Sequence, residues 1–180
     1  LDPINPYGLT KLTIENILGN LYESSSNKWK IINLRYFNPI GAHSSGLIGE
    51  VPRGIPNNIF PLIMQVASGN IEFLKIYGKD WPTNDGTPIR DFIHVMDLAN
   101  GHLYALEHLQ NNSSKILNFN LGTGIGSSVL ELIRTFERVN KIKVPFQFAE
   151  RRDGDAAIVV ADNSLVKNIL KWKPVKNLED

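Results

Sequence analysis

The sequence has no cysteine among its 180 residues, which excludes disulfide bonds, thiolate nucleophiles and cysteine-ligated metals. That absence suits a reducing compartment, and a cytoplasmic location is expected. Neither sign of charge is in excess. Lysine and arginine number 19 against 18 aspartates and glutamates, a net charge of +1, so neither nucleic acid nor an anionic membrane is expected as a partner. Nothing resembles a signal peptide or a membrane-spanning apolar run. The histidines at 43, 94, 102 and 108 lack metal-ligand spacing with acidic partners; no metal is expected, and His43, His94, His102 and His108 are read as structural or exposed. There is no internal repeat and no low-complexity tract. No methionine opens the chain, which starts at Leu1 and is read as a piece truncated at its front.

At 42% hydrophobic and 21% charged residues, the composition is that of an ordinary globular domain, and a chain of this size buries roughly 70% of its unfolded surface. Its first dozen residues include Asn5-Pro6-Tyr7-Gly8-Leu9-Thr10-Lys11. Asn5 is a good helix N-cap and Pro6 suits the first turn. Leu9, Leu12, Ile14, Ile17, Leu18 and Leu21 follow at helical spacing and predict a buried stripe. Tyr7 and Lys11 then share one helical face, where an ammonium beside the phenol favours the phenolate that a proton-abstracting tyrosine must become. Taken alone, such a pair is more often a solvated surface pair.

A polar break at 23–27 precedes an apolar run at 29–37, which predicts a strand ending at Asn38-Pro39-Ile40-Gly41. Residues 42–55 form a long loop, of the kind that often binds ligands. Further along, helices are expected at 56–67, 95–110 and 163–170, strands at 73–77, 116–121 and 144–148, and an extended stretch at 88–94. Ser128 and Glu131 form a capping box for one more helix. Helices alternating with buried strands imply a parallel α/β sheet. Gly122, Gly124 and Gly126 resemble a dinucleotide-binding fingerprint. However, its third glycine would fall at Ser127, and no acidic residue ends a strand about 20 residues downstream. These glycines are read as a tight turn, and the phosphate-binding loop of a cofactor site is expected to lie outside this chain.

Several stretches together resemble one family. They are Pro6-Tyr7-Gly8 with Lys11, Arg35-Tyr36-Phe37-Asn38-Pro39-Ile40-Gly41-Ala42-His43, Gly54-Ile55-Pro56-Asn57-Asn58, Asp85 through Ala99, Asn120-Leu121-Gly122-Thr123-Gly124, and Arg151-Arg152-Asp153-Gly154-Asp155. The set resembles the UDP-glucose 4-epimerases of the extended short-chain dehydrogenase/reductase superfamily. The fold so implied is α/β, the C-terminal part of a Rossmann-type NAD(P)-binding fold interleaved with a small α/β substrate-binding domain. Residues 1–41 and 95–126 would belong to the former, 42–94 and 127–180 to the latter.

The resemblance also implies an activity: inversion at C4 of a UDP-hexose, by hydride transfer to bound NAD and back. By the same resemblance Tyr7 is the catalytic acid/base and Lys11 its partner, with Tyr7, Lys11 and Tyr36 on the cofactor. Asn38 lies beside the sugar. Asn58, Arg90, Arg152 and Asp155 hold the diphosphate and uridine, Tyr77 lies by the uracil, and Val159 stands where the family keeps a gate beside the sugar's C2 substituent. A UDP-sugar and a second copy of the chain, as a homodimer, are the implied partners. Singly, most of these residues have blander readings. Arg90-Asp91 could be a local ion pair, Arg151-Arg152 a solvated patch, Asn57-Asn58 helix caps and Val159 strand packing. A related nucleotide-sugar dehydratase or decarboxylase, and a catalytically dead nucleotide-sugar-binding module, are the alternatives.

Overall fold

The computed structural model describes residues 2–25, 28–113 and 115–180. Leu1, and Ser26 and Asn27 of the polar break, lie outside the described residues. The first half runs α1 (Pro6–Ser24), β1 (Ile31–Tyr36), β2 (Asn38–Ile40), α2 (Ile59–Ala67), β3 (Leu74–Tyr77), β4 (Ile89–Arg90) and β5 (Phe92–His94). The second runs α3 (Val95–Asn111), β6 (Ile116–Leu121), β7 (Ser127–Ser128), α4 (Val129–Asn140), β8 (Phe146–Ala149), β9 (Ile158–Val159) and α5 (Ser164–Leu170). Among the described residues no helix is long and apolar enough to cross a membrane.

Pairing is mostly parallel, as helix-connected strands require. β1 runs beside β6 from Ile31 opposite Ile116 to Tyr36 opposite Leu121. β2 pairs with β5 and β3 with β8. β4 lies between β7, which is antiparallel to it, and β9, which is parallel. Asn38 to Ile40, expected to end a strand, forms β2 instead. The Phe37 amide still bonds to Leu121 of β6, whereas the Asn38 amide turns to the Asp91 carbonyl, so the chain changes partner between two residues. The helix expected from Pro56 begins at Ile59, with Asn58 in extended conformation at its N-cap.

Two apolar cores result. The first joins Ile63 and Val66 of α2, Leu74 and Ile76 of β3, Phe92, and the inner face of α4 from Val129 to Phe136. The second joins Ile93, Leu98 and Ala105 with Phe119 and Leu121 of β6. Val166 and Leu170 of α5, and Trp172 after it, also belong to the second core, although the sequence reading groups 127–180 with the substrate side. Phe92 and Ile93 are consecutive in β5 yet feed different cores, because successive side chains of a strand leave on opposite faces. Each fully buried aliphatic side chain stabilises the fold by roughly 1.5–3 kcal/mol.

The buried stripe predicted for α1 is not observed. None of the described α1 residues is buried, and Leu9, Ile14 and Ile17 are 56%, 51% and 58% exposed. Helical spacing shows that an apolar face exists and says nothing about what covers it. Within this chain α1 is fastened to β1 by an ion pair, the Arg35 Nε donating to Glu15 Oε1 at 2.7 Å.

The glycine turn after β6 is built around Asp91, which is fully buried. Its carboxylate accepts from the amides of Thr123 (2.8 Å), Gly124 (2.9 Å) and Ala161 (3.2 Å) and from the Thr123 hydroxyl. A Cβ at Gly122 would stand 2.6 Å from that carboxylate, and one at Gly126 would stand 2.5 Å from Ile89, so close packing accounts for both glycines. The amides of Thr123 and Gly124, which a dinucleotide loop would aim at a phosphate, are already spent on Asp91.

Candidate functional site

Asn38, Asn58, Tyr77, Arg90, Arg152 and Asp155 line one cleft of about 230 Å³. They come from five places in the chain. Asn38 opens β2, Tyr77 ends β3 and Arg90 ends β4, while Asn58 stands at the head of α2, where its side chain makes no capping bond. Arg152 and Asp155 belong to the loop between β8 and β9.

Arg90 does not pair with Asp91. Neighbours in an extended segment leave on opposite faces, so Asp91 enters the glycine turn while Arg90 faces the cleft. There its Nη1 donates to the carbonyls of Ala156 (2.8 Å) and Ile89 (2.9 Å). Its Nη2 lies 3.7 Å from Asp155 Oδ1, too far for a good hydrogen bond. Burial pulls the Arg90 guanidinium below its ordinary pKa, and Asp155 partly offsets that. The two consecutive arginines also divide. Arg151 donates to Asp80 (2.9 Å) and lies over Trp81, a scaffold role, whereas the Arg152 guanidinium stacks 3.7 Å from the centre of the Tyr77 ring.

Tyr7 and Lys11 occupy the first two turns of α1, outside the residues that line this cleft. The Lys11 ammonium sits 5.1 Å from the centre of the Tyr7 ring, and Tyr7 is 71% exposed. Asn5 caps the helix, its Oδ1 accepting from the Gly8 amide at 2.8 Å, and its Nδ2 donates to the carbonyl of Gly154, between Arg152 and Asp155, at 3.2 Å. Tyr36 faces a second, more apolar cleft with Pro39, Ile40, Val95 and Met96, and its hydroxyl lies 2.6 Å from His102 Nε2. Val159 is the register partner of Arg90 on β9, also outside the cleft lining.

Sequence reasoning missed two features of this region and left a third, the structural role of His94, unspecified. Lys75 lines the cleft; the alternation of buried Leu74 and Ile76 around it was the available signal. His94 is buried and caps α3, its Nδ1 accepting from the Met96 amide at 3.1 Å. The second bond of Asn5 reaches across 149 positions of sequence, and no local pattern announces it.

Residues 1–122 match the NAD dependent epimerase/dehydratase family. Along its whole length the chain is 51% identical to the UDP-glucose 4-epimerase of Bacillus subtilis, covering 52% of that protein. It is 52% identical over 179 residues, 98% of its own length, to UDP-glucose 4-epimerase 1 of Oryza sativa subsp. japonica, covering 50% of that protein. Among solved structures, the UDP-glucose 4-epimerase from Bifidobacterium longum in complex with NAD+ and UDP superposes with a TM-score of 0.93 at 44% identity, over 98% of this chain and 52% of that one. The Stenotrophomonas maltophila enzyme, with bound NAD and formylated UDP-arabinopyranose, gives 0.94 at 47% identity, over 99% and 53%. The chain thus spans about half the length of the relatives it matches. From its Tyr7-Lys11 helix to its glycine turn, it belongs to the NAD dependent epimerase/dehydratase family.

Proposed function

We propose that the full-length protein is a UDP-glucose 4-epimerase, interconverting UDP-glucose and UDP-galactose with NAD. In this reading the cleft around Arg90 holds the UDP end of the substrate. One observation carries it: a partly buried guanidinium whose ion pair with Asp155 is stretched to 3.7 Å. A desolvated cation so weakly paired favours a further anion, and its planar donors suit the oxygens of a diphosphate. Arg152 and Tyr77, stacked on one another, supply a second cation and an aromatic face for the base. Asp155 accepts from ribose hydroxyls, Asn58 donates to a phosphate oxygen, and Asn38 faces the sugar.

The donor set at the head of α1 fits a nicotinamide ribose, since Tyr7 and Lys11 are both exposed there, with the ammonium over the phenol ring. NAD, when bound, would supply the hydride-transfer chemistry at C4, and Tyr7 and Lys11 are the residues that would hold its nicotinamide ribose. Tyr7 takes the proton of the C4 hydroxyl on its Oη and gives it back as the inverted alcohol forms. Lys11 offsets the negative charge that Tyr7 then carries and shares the ribose with it. Tyr36 closes the cofactor side. Residues 1–41 and 95–126 are assigned to that side, and 42–94 and 127–180 to the substrate, although α5 and Trp172 of the latter pack into the core of α3 and β6. The exposed apolar face of α1 suits a homodimer contact, and the cysteine-free sequence suits the cytoplasm.

Incubating the full-length protein with UDP-glucose and NAD should yield UDP-galactose. Binding of UDP without turnover would make the protein a nucleotide-sugar-binding module instead, and loss of water or carbon dioxide from the sugar would place it with the dehydratases or decarboxylases.

A further inference from the structure

A helix N-cap needs an acceptor, and serine, threonine or aspartate supplies one as well as asparagine does. What asparagine adds at position 5 is a second polar atom, an N–H donor separate from the accepting oxygen. Its Oδ1 closes the first turn of the helix bearing Tyr7 and Lys11, while its Nδ2 holds the Gly154 carbonyl at 3.2 Å. Gly154 sits in a turn closed by the Asp155 amide and the Arg152 carbonyl, at a φ of +76°, and Arg152 and Asp155 both line the cleft. A Cβ on Gly154 would stand 3.2 Å from the Asn5 Cβ, so the two segments are in packing contact as well as bonded.

We propose that Asn5 is a positioning residue that sets the tyrosine helix against the Arg152–Asp155 loop. A substrate gripped by its diphosphate then presents its reacting carbon to Tyr7 in register. The inference rests on the epimerase reading above. It draws a distinction that reading lacks: UDP alone engages the loop side, whereas turnover needs the loop and the helix in one fixed geometry. Small displacements at that point are costly, because rate depends steeply on alignment.

Asn5→Asp in the full-length enzyme keeps the cap and removes the donor; Asn5→Ser adds no charge and leaves one hydroxyl, one bond shorter, at the cap in place of the two polar atoms that serve Gly8 and Gly154. In both, the melting temperature and the inhibition constant of UDP should stay near those of the parent, within twofold for the latter. kcat for UDP-glucose should fall about fivefold, the worth of one hydrogen bond. The proposal is overturned by an unchanged kcat in both variants, by a fall confined to Asn5→Asp, or by a fall matched by an equal loss of UDP affinity. Absence of epimerisation by the unmodified enzyme would overturn the functional reading itself, and this inference with it.

Discussion

Arg90 and Asp91 are sequence neighbours with opposite surroundings, and substitutions should separate them. Arg90→Lys keeps a positive charge but loses the planar fork and its bonds to Ile89 and Ala156. In the full-length enzyme it is expected to weaken UDP binding about 10- to 100-fold, the range for hydrogen bonds to a charged group, as read by calorimetry, with little change in melting temperature. Asp91→Asn turns a buried acceptor of several amides into a group that presents N–H to N–H. A loss of about 2–4 kcal/mol is expected in denaturant unfolding, and a loss below about 0.5 kcal/mol would contradict the structure. Tyr7→Phe should lower kcat by a factor of about 10²–10⁴ while UDP still binds. Near-normal turnover would remove Tyr7 from its role. Val159→Tyr tests the proposed gate: the valine should leave room for an acetamido group, and tyrosine should cut kcat/KM for UDP-N-acetylglucosamine relative to UDP-glucose, with an unchanged ratio sinking the idea. Of the seven residues expected to face the substrate, all but Val159 line one cleft, and five of those six stand in the motif stretches, Tyr77 being the exception. The Arg90-Asp91 ion pair failed for a local reason, the two-residue period of an extended segment.

Among elements, α1 shows which signals are local. Its cap, its proline and its apolar spacing placed the helix correctly, but burial depends on what packs against it, and that is written elsewhere. The same holds for β2, whose change of partner is set by Asp91, the residue between β4 and β5, and for α5, whose short amphipathic pattern could not choose between two cores. By contrast the capping box of Ser128 and Glu131 is seen as expected, since it lies within four residues. The joint between α1 and β1 makes a pH prediction. The hydrogen bonds from Arg35 hold the Glu15 carboxyl below the usual glutamate range, against the opposing effect of burial. A carboxyl lowered in the folded state contributes stability above its unfolded pKa and loses it as pH falls through the folded value. The full-length parent should therefore exceed Glu15→Gln in melting temperature at neutral pH, and the gap should close in acid. A gap constant with pH would show that the carboxylate charge plays no part.

On the scale of the whole molecule, apolar side chains remain on the surface of α1 and of α3, including Leu9, Ile14, Ile17, Leu103 and Leu106. Exposed clusters of this kind mark interaction surfaces. The 180-residue polypeptide by itself is expected to bind an apolar dye and to self-associate in sedimentation, and a monodisperse, dye-free monomer would contradict this. Inside, the two cores meet at β5, where Phe92 serves one and Ile93 the other, and Arg90 stands two residues before Phe92. The strand is a party wall between two rooms. A ligand held by Arg90 is therefore expected to steady both sides of that wall. On adding UDP, deuterium uptake should slow in α4 on one side and in β6 on the other, far beyond the residues the nucleotide touches.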